Sequence, residues 1–236
     1  MNLLTVAFLA QAMFLSGAGG SGGPGNHNEW KYPDNRVSTE TIEKSLKIES
    51  GTLILLDTEM GNINIGEYDG KDVQIEMTVE GTPEDISRIH FTHDYFRNQV
   101  TLTAWYDGTS EAQEARLKNA SFTIRLPRDS SYSLRTKTQL GNINAVVSRN
   151  TKGVDLSAEA GSVWLRVPCD IAATIDASTS GIGGVQFLPA ERLWDLCFSS
   201  EISKGDHLKG TMHGGGEKIN AYAGSGNVYF EVEPRK

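Results

Sequence analysis

The chain has 236 residues, with 22 Lys and Arg against 30 Asp and Glu, for a formal net charge of −8. That length buries a core without metal or disulfide staples, and the acidic balance argues against a general nucleic-acid-binding surface, which needs a basic face to displace counterions. Glycine is frequent at 25 residues and proline sparse at 7, which suits a chain that reverses often yet stays in regular strands.

Residues 1–20 (MNLLTVAFLAQAMFLSGAGG) carry an apolar run from Leu3 to Leu15 followed by small residues. This is the pattern of a secretory signal peptide, although no Lys or Arg precedes the run. The run falls short of the roughly 20 apolar residues of a membrane-spanning helix. A buried N-terminal helix and a membrane anchor are the competing readings. No cysteine lies near to carry a lipid. Residues 21–44 open on SGGPGNHN and read as a flexible linker. The folded domain is expected over 45–236.

From there the signal is period-two alternation, the mark of strands with one buried face. SLKIES and TLILLD are followed by NINIGEY, which sets Ile63 beside Ile65. DVQIEMTVE sets Val73, Ile75, Met77 and Val79 on one face. Between the last two, GEYDGKD contains Asp-Gly, a hairpin signal. TPEDISRI predicts one short helix, with Thr82 as cap, Pro83 at the first position and Glu84 and Asp85 at the positive end. IHFTHDY and NQVTLTAWY read as strands around a turn at Phe96 to Asn98. SEAQEARLKN is a charged surface insertion, loop or marginal helix. ASFTIRLPR returns to alternation, with Pro127 ending the strand or placing it at an edge.

The second half repeats. Gly141, Gly161 and Gly181 are spaced 20 apart and open GNINAVV, GSVWLRV and GIGGVQF. Each follows another short strand, and KINAYAGSGNVYFEV supplies a last copy with its turn at Gly224 to Gly226. A fixed period near 20 residues marks a repeat architecture whose units bury their apolar faces by stacking. The fold class expected is all-β, a β-solenoid-like stack of short strands. Gly61, Gly141, Gly161, Gly181 and Gly226 are read as structural turn residues: the chain reverses there, and Asn beside Gly tolerates positive φ as well.

The order of these segments resembles the bacterial putative adhesin family of exported β-repeat domains, also called toast-rack domains. The likeness runs from about Ser45 to Val232: the alternating entry, the TPEDI excursion with its hairpin, FTIRLPRDSSYSLRTKTQLGNINA, then the Gly-turn units and the closing HGGGEKINAYAGSGNVYFEV. The resemblance implies a stacked β fold in the cell envelope, in the periplasm or at the cell surface, and brings no catalytic residues. The stretch from Leu188 to Lys209 departs from it, lacking a clean Gly turn, and predicts a distorted rung.

Chemistry is sparse. His90 and His93, three apart in a strand, point to opposite faces and make a poor metal pair; His207 and His213 read as exposed loop residues. No cofactor or metal pattern is present, and no nucleophile elbow. The acidic residues Glu76, Glu80, Asp155, Glu159, Asp176, Asp195 and Glu201 are scattered, and Asp155 with Asp176 is the pair to test for a polysaccharide-acting enzyme. Cys169 and Cys197 are either two small buried side chains or a disulfide. The aromatics Trp105, Tyr106, Trp164, Trp194, Tyr222, Tyr229 and Phe230 offer an exposed strip for stacking on sugars as the alternative to core packing, which is the default. Trp164 takes the face opposite Val163 and Leu165, so burial of those two turns it outward. Arg125, Arg128, Arg135 and Lys137 lie close in sequence, as a small anion patch or a solvated face. Trp164, Arg125 and Arg135 are the candidate binding face.

The function expected is that of a non-enzymatic exported envelope protein with a structural or binding role, its extended repeat surface suited to proteins or glycans. The alternatives are the polysaccharide enzyme and an envelope-stress scaffold that meets proteins through its sheet edges.

Overall fold

A computed structural model describes residues 37–107, 120–188, 197–199 and 205–233. The expected signal peptide, most of the linker, the charged insertion, Trp194, Asp195 and Glu201 lie outside the described residues.

Sixteen strands and one helix are found among the described residues, and the alternation read from the sequence sets their burial. In chain order they are β1 (Ser38–Lys47), β2 (Thr52–Met60), β3 (Asn62–Tyr68), β4 (Asp72–Gly81), α1 (Pro83–Ser87), β5 (Ile89–Phe96), β6 (Gln99–Tyr106), β7 (Ser121–Pro127) and β8 (Tyr132–Leu140). There follow β9 (Ile143–Val146), β10 (Thr151–Ala160), β11 (Val163–Pro168), β12 (Ala173–Thr179), β13 (Val185–Leu188), β14 (His207–Met212), β15 (Glu217–Ala223) and β16 (Val228–Glu233). The helix forms where the capping residues predict it, with Thr82 Oγ1 accepting from the Asp85 N–H.

The strands form two open eight-stranded sheets. The first runs β1-β4-β7-β3-β9-β11-β16-β13, the second β14-β12-β15-β10-β8-β2-β6-β5. A strand of the second sheet, a turn and a strand of the first make one unit; β6 and β7, whose connection lies outside the described residues, take the same two places. Such units lie side by side in parallel register in the order β6–β7, β2–β3, β8–β9, β10–β11, β15–β16, β12–β13. Antiparallel strands flank this array: β1 and β4 beyond β7, β5 beyond β6, and β14 beyond β12.

In-register pairing lines up the apolar residues in columns. Ile63, Ile143, Val163, Val228 and Val185 form one across the first sheet. Val100, Ile54, Leu134, Val154, Ile219 and Ile175 form another across the second. All are buried in a single core between the sheets, where each fully buried aliphatic side chain contributes about 1.5–3 kcal/mol.

Several expectations are corrected. The linker ends earlier than residue 44, because β1 begins at Ser38 and pairs with β4. Asp69-Gly70 turns the chain but makes no hairpin. β7 inserts between β3 and β4 and bonds to both. His207 lies in β14, not in a loop. The units also do not stack in chain order: the C-terminal β15–β16 sits between β10–β11 and β12–β13. Pro127 ends β7, which is an internal strand. Cys169 and Cys197 form a disulfide with a Cα separation of 5.1 Å, tying the end of β11 to the segment before β14.

The turn glycines pack backbone on backbone. A Cβ on Gly141 would overlap the Gly61 carbonyl, one on Gly161 the Gly141 carbonyl, one on Gly226 the Gly161 carbonyl, and one on Gly183 the Gly226 carbonyl. Gly183 is therefore the fifth member of this line, and Gly181 stacks on Gly224 instead.

Residues after these glycines bond along the same line. Asn62 Oδ1 accepts from the Asn142 N–H at 3.0 Å and Asn142 Oδ1 from the Ser162 N–H at 2.8 Å. Ser162 Oγ accepts from the Asn227 N–H at 3.1 Å and Asn227 Oδ1 from the Gly184 N–H at 3.0 Å. The recurring Gly-Asn thus closes each turn on its neighbour: glycine permits the contact, and the next side chain supplies an acceptor for an N–H outside the strand ladder.

Candidate functional site

The site is built from the third residue after each turn glycine. Those residues are Asn64, Asn144, Trp164, Tyr229 and Gln186 on β3, β9, β11, β16 and β13. Register places them in one row on the outer face of the first sheet. Val163 and Leu165 are buried, so Trp164 is outward, 39% exposed, and the core-packing default does not hold for it. Trp164 and Tyr229 stack with ring centroids 4.6 Å apart and planes at 12°. That separation matches the spacing of adjacent strands, so the rings stand side by side, upright on the sheet. Trp164 gives one ring face to Tyr229 and turns the other over β9 and Asn144.

The turn line holds this wall in place. Asn227, bonded to Ser162 and Gly184, also donates through Nδ2 to the Tyr229 hydroxyl at 3.1 Å. Below the free ring face lies an open trough of about 520 Å³ lined by Asn64, Asn144, Trp164, Arg166, Tyr229 and Glu231, among others. Arg166 donates to Glu231 through Nε at 3.0 Å and Nη2 at 2.9 Å, and Glu233 lies 3.7 Å from Nε. The exposed Asn64 and Asn144 amides make no hydrogen bond among the described residues. Two amides, each able to donate and accept, therefore lie beside an unoccupied aromatic face.

The predicted residues do not converge. Arg125 is on the same outer face, but three strand steps and two residues along from Trp164, about 16 Å at the usual spacings, and it is paired with Glu76 at 3.3 Å. Arg135 is on the other sheet, 3.3 Å from Asp155. The basic cluster is divided the same way: Arg128 meets Glu67 and Asp69, and Lys137 meets Glu159 at 2.7 Å. That carboxylate raises the Lys137 pKa. Asp155 and Asp176 are not on adjacent strands, since Asn220 stands between them in register. Asp176 is held by His207 at 2.8 Å and Lys209 at 3.5 Å. His90 stacks on Trp105, and His213 Nε2 lies 2.7 Å from the Cys169 carbonyl oxygen. Among the described residues no group of three His, Cys, Asp or Glu could hold a metal, and no helix is long and apolar enough to cross a membrane.

The sequence pattern names Tyr229 among the aromatics but does not mark Asn64, Asn144 or Arg166. The signal that finds them is the alignment of units on the glycine line, which sets Trp164 and Tyr229 at one position.

No family profile matches the chain, and no curated protein matches it. Solved structures do. A putative cell adhesion protein from Clostridium sporogenes aligns with a TM-score of 0.58 at 13% identity, over 83% of this chain and all of that one. A putative adhesin from Parabacteroides merdae aligns at 16% identity over 66% of each chain, with a TM-score of 0.29. One from Bacteroides fragilis aligns at 11% identity over 82% of this chain and 97% of its own, with a TM-score of 0.22. The fold comparison rests on the first. The chain shares the fold of that Clostridium sporogenes protein.

Proposed function

We propose that this protein is a non-enzymatic binding protein of the bacterial envelope, exported and acting in the periplasm or at the cell surface. It holds its partner in the trough on the outer face of the first sheet. The observation that carries this reading is the exposed Trp164 stacked on the half-buried Tyr229, beside the unengaged Asn64 and Asn144 amides. Large aromatics usually bury, and here one is held upright in the open. The shared fold with a putative cell adhesion protein supports the reading, as does the disulfide, which persists in oxidising compartments. The cross-strand columns and the glycine line support reading the parallel units as a short solenoid-like stack of ~20-residue repeats. Residues 1–20 act as the signal peptide, and Asp155 and Asp176 serve as ion-paired surface.

The test is retention of fluorescently labelled residues 21–236 on bacterial cells, compared with Trp164→Ala. Binding that falls at least tenfold in the variant is the expected result. Equal binding by a correctly folded variant would remove the trough from the function.

A second reading has its own observation. β5 is an edge strand, with Tyr95 47% and Phe96 62% exposed, and edges of this kind accept a further strand. Loss of cell binding in Thr92→Pro, with Trp164→Ala silent, would favour it.

A further inference from the structure

We infer that the trough takes a neutral glycan chain, with one sugar ring laid against the free face of Trp164 and its hydroxyls on the Asn64 and Asn144 amides. This rests on the trough being the binding face.

The strand arrangement speaks against a peptide as occupant. β3, β9, β11 and β16 are each paired on both sides, so no backbone edge is free for strand addition, the mode by which extended peptides dock on sheets. A ligand here is held by side chains alone. Those side chains are an aromatic face and two amides. A sugar ring presents an apolar C–H face to the first, and hydroxyls that both donate and accept to the second.

Charge decides between neutral and acidic sugars. The trough's one cation, Arg166, is bound to Glu231 and has Glu233 nearby. An acidic sugar would have to compete with two carboxylates for one guanidinium, in a protein of net charge −8.

The shape favours a chain over a single sugar. Thr123, Asn64, Asn144, Trp164, Tyr229 and Gln186 follow one another across the strands in steps of about 4.8 Å. A linear polymer of sugar rings crossing the sheet meets one such position after another.

The experiment titrates residues 21–236 with soluble hexasaccharides, followed by calorimetry and tryptophan fluorescence. The neutral probes are β-1,4-glucan, β-1,4-mannan, β-1,3-glucan, α-1,4-glucan and chitin oligomers, and the acidic comparator is a galacturonic acid oligomer. At least one neutral probe is expected to bind with a Kd between about 10 µM and 1 mM. Trp164→Ala should weaken it tenfold or more, Trp164→Phe about threefold, and Asn144→Ala about fivefold. The galacturonate oligomer should bind at least tenfold more weakly. Tighter binding of the acidic oligomer overturns the inference. So does the absence of binding by every neutral probe while cells still retain the wild type and not Trp164→Ala; in that case the binding face stands and its ligand is not a neutral glycan. Cell binding indifferent to Trp164 removes the face itself. Far-ultraviolet circular dichroism and a thermal melt of each variant separate loss of binding from loss of fold.

Discussion

The carbonyl oxygen of Gly141 occupies the space that a Cβ on Gly161 would need. Gly161→Ala should therefore destabilise the protein by about 3 kcal/mol or more, from backbone overlap and an unfavourable φ together. Gly66 is the control. It lies in β3, and a Cβ there meets nothing within 4 Å. Gly66→Val should be neutral or stabilising by about 0.5 kcal/mol, through strand preference and a less flexible unfolded chain. Urea denaturation of both variants checks the contrast; similar losses would show that the glycine line is not held by close approach.

Asn142 bonds to both neighbouring turns, donating to Asn62 Oδ1 at 3.2 Å and accepting from the Ser162 N–H at 2.8 Å. The site is exposed, so water can replace part of what is lost. Asn142→Ala is expected to cost about 1 kcal/mol. Hydrogen exchange should report faster opening of the Ser162 amide, with the amides of β2 unchanged.

The disulfide joins residues 28 apart. The chain-entropy estimate for a loop of that size is about 3.6 kcal/mol. Cys169→Ser with Cys197→Ser should lower stability by about 2–4 kcal/mol in urea titration, and reductant should lower the wild type by the same amount while leaving the double variant unchanged.

Glu67 lies beside Arg128, and burial raises its pKa above 4.5 despite that guanidinium. The folded state therefore holds the proton more tightly than the unfolded chain, and ionisation of Glu67 lowers stability as pH rises through the folded value. Glu67→Gln should raise Tm at pH 7.5, and the gain should vanish as pH falls below 4.5. A gain that grows on acidification would contradict this sign.

Much of the fold was legible because alternation is a direct print of the pleat. Val73, Ile75, Met77 and Val79 are buried as read, and the helix formed behind Thr82. Strand neighbours were less legible. Asp69-Gly70 specifies a turn, but nothing local says that β7 will enter between the two strands. The site was half legible for a related reason. Counting 20 from Gly161 reaches Gly181, whereas the backbone contact is made by Gly183. With that unit set two residues out, Gln186 left the row shared by Trp164 and Tyr229. Arg125 and Arg135 looked close because they are ten apart in sequence, yet a turn carries them to different sheets.

The position of β15–β16 has an effect on how the molecule is assembled. β12 and β13 cannot reach their final partners until residues 217–233 have been supplied, since those residues fill the gap between them and the rest. A nascent chain that emerges amino terminus first is left with an open slot until residues 217–233 appear, so the paired array closes only after every other described strand has been made.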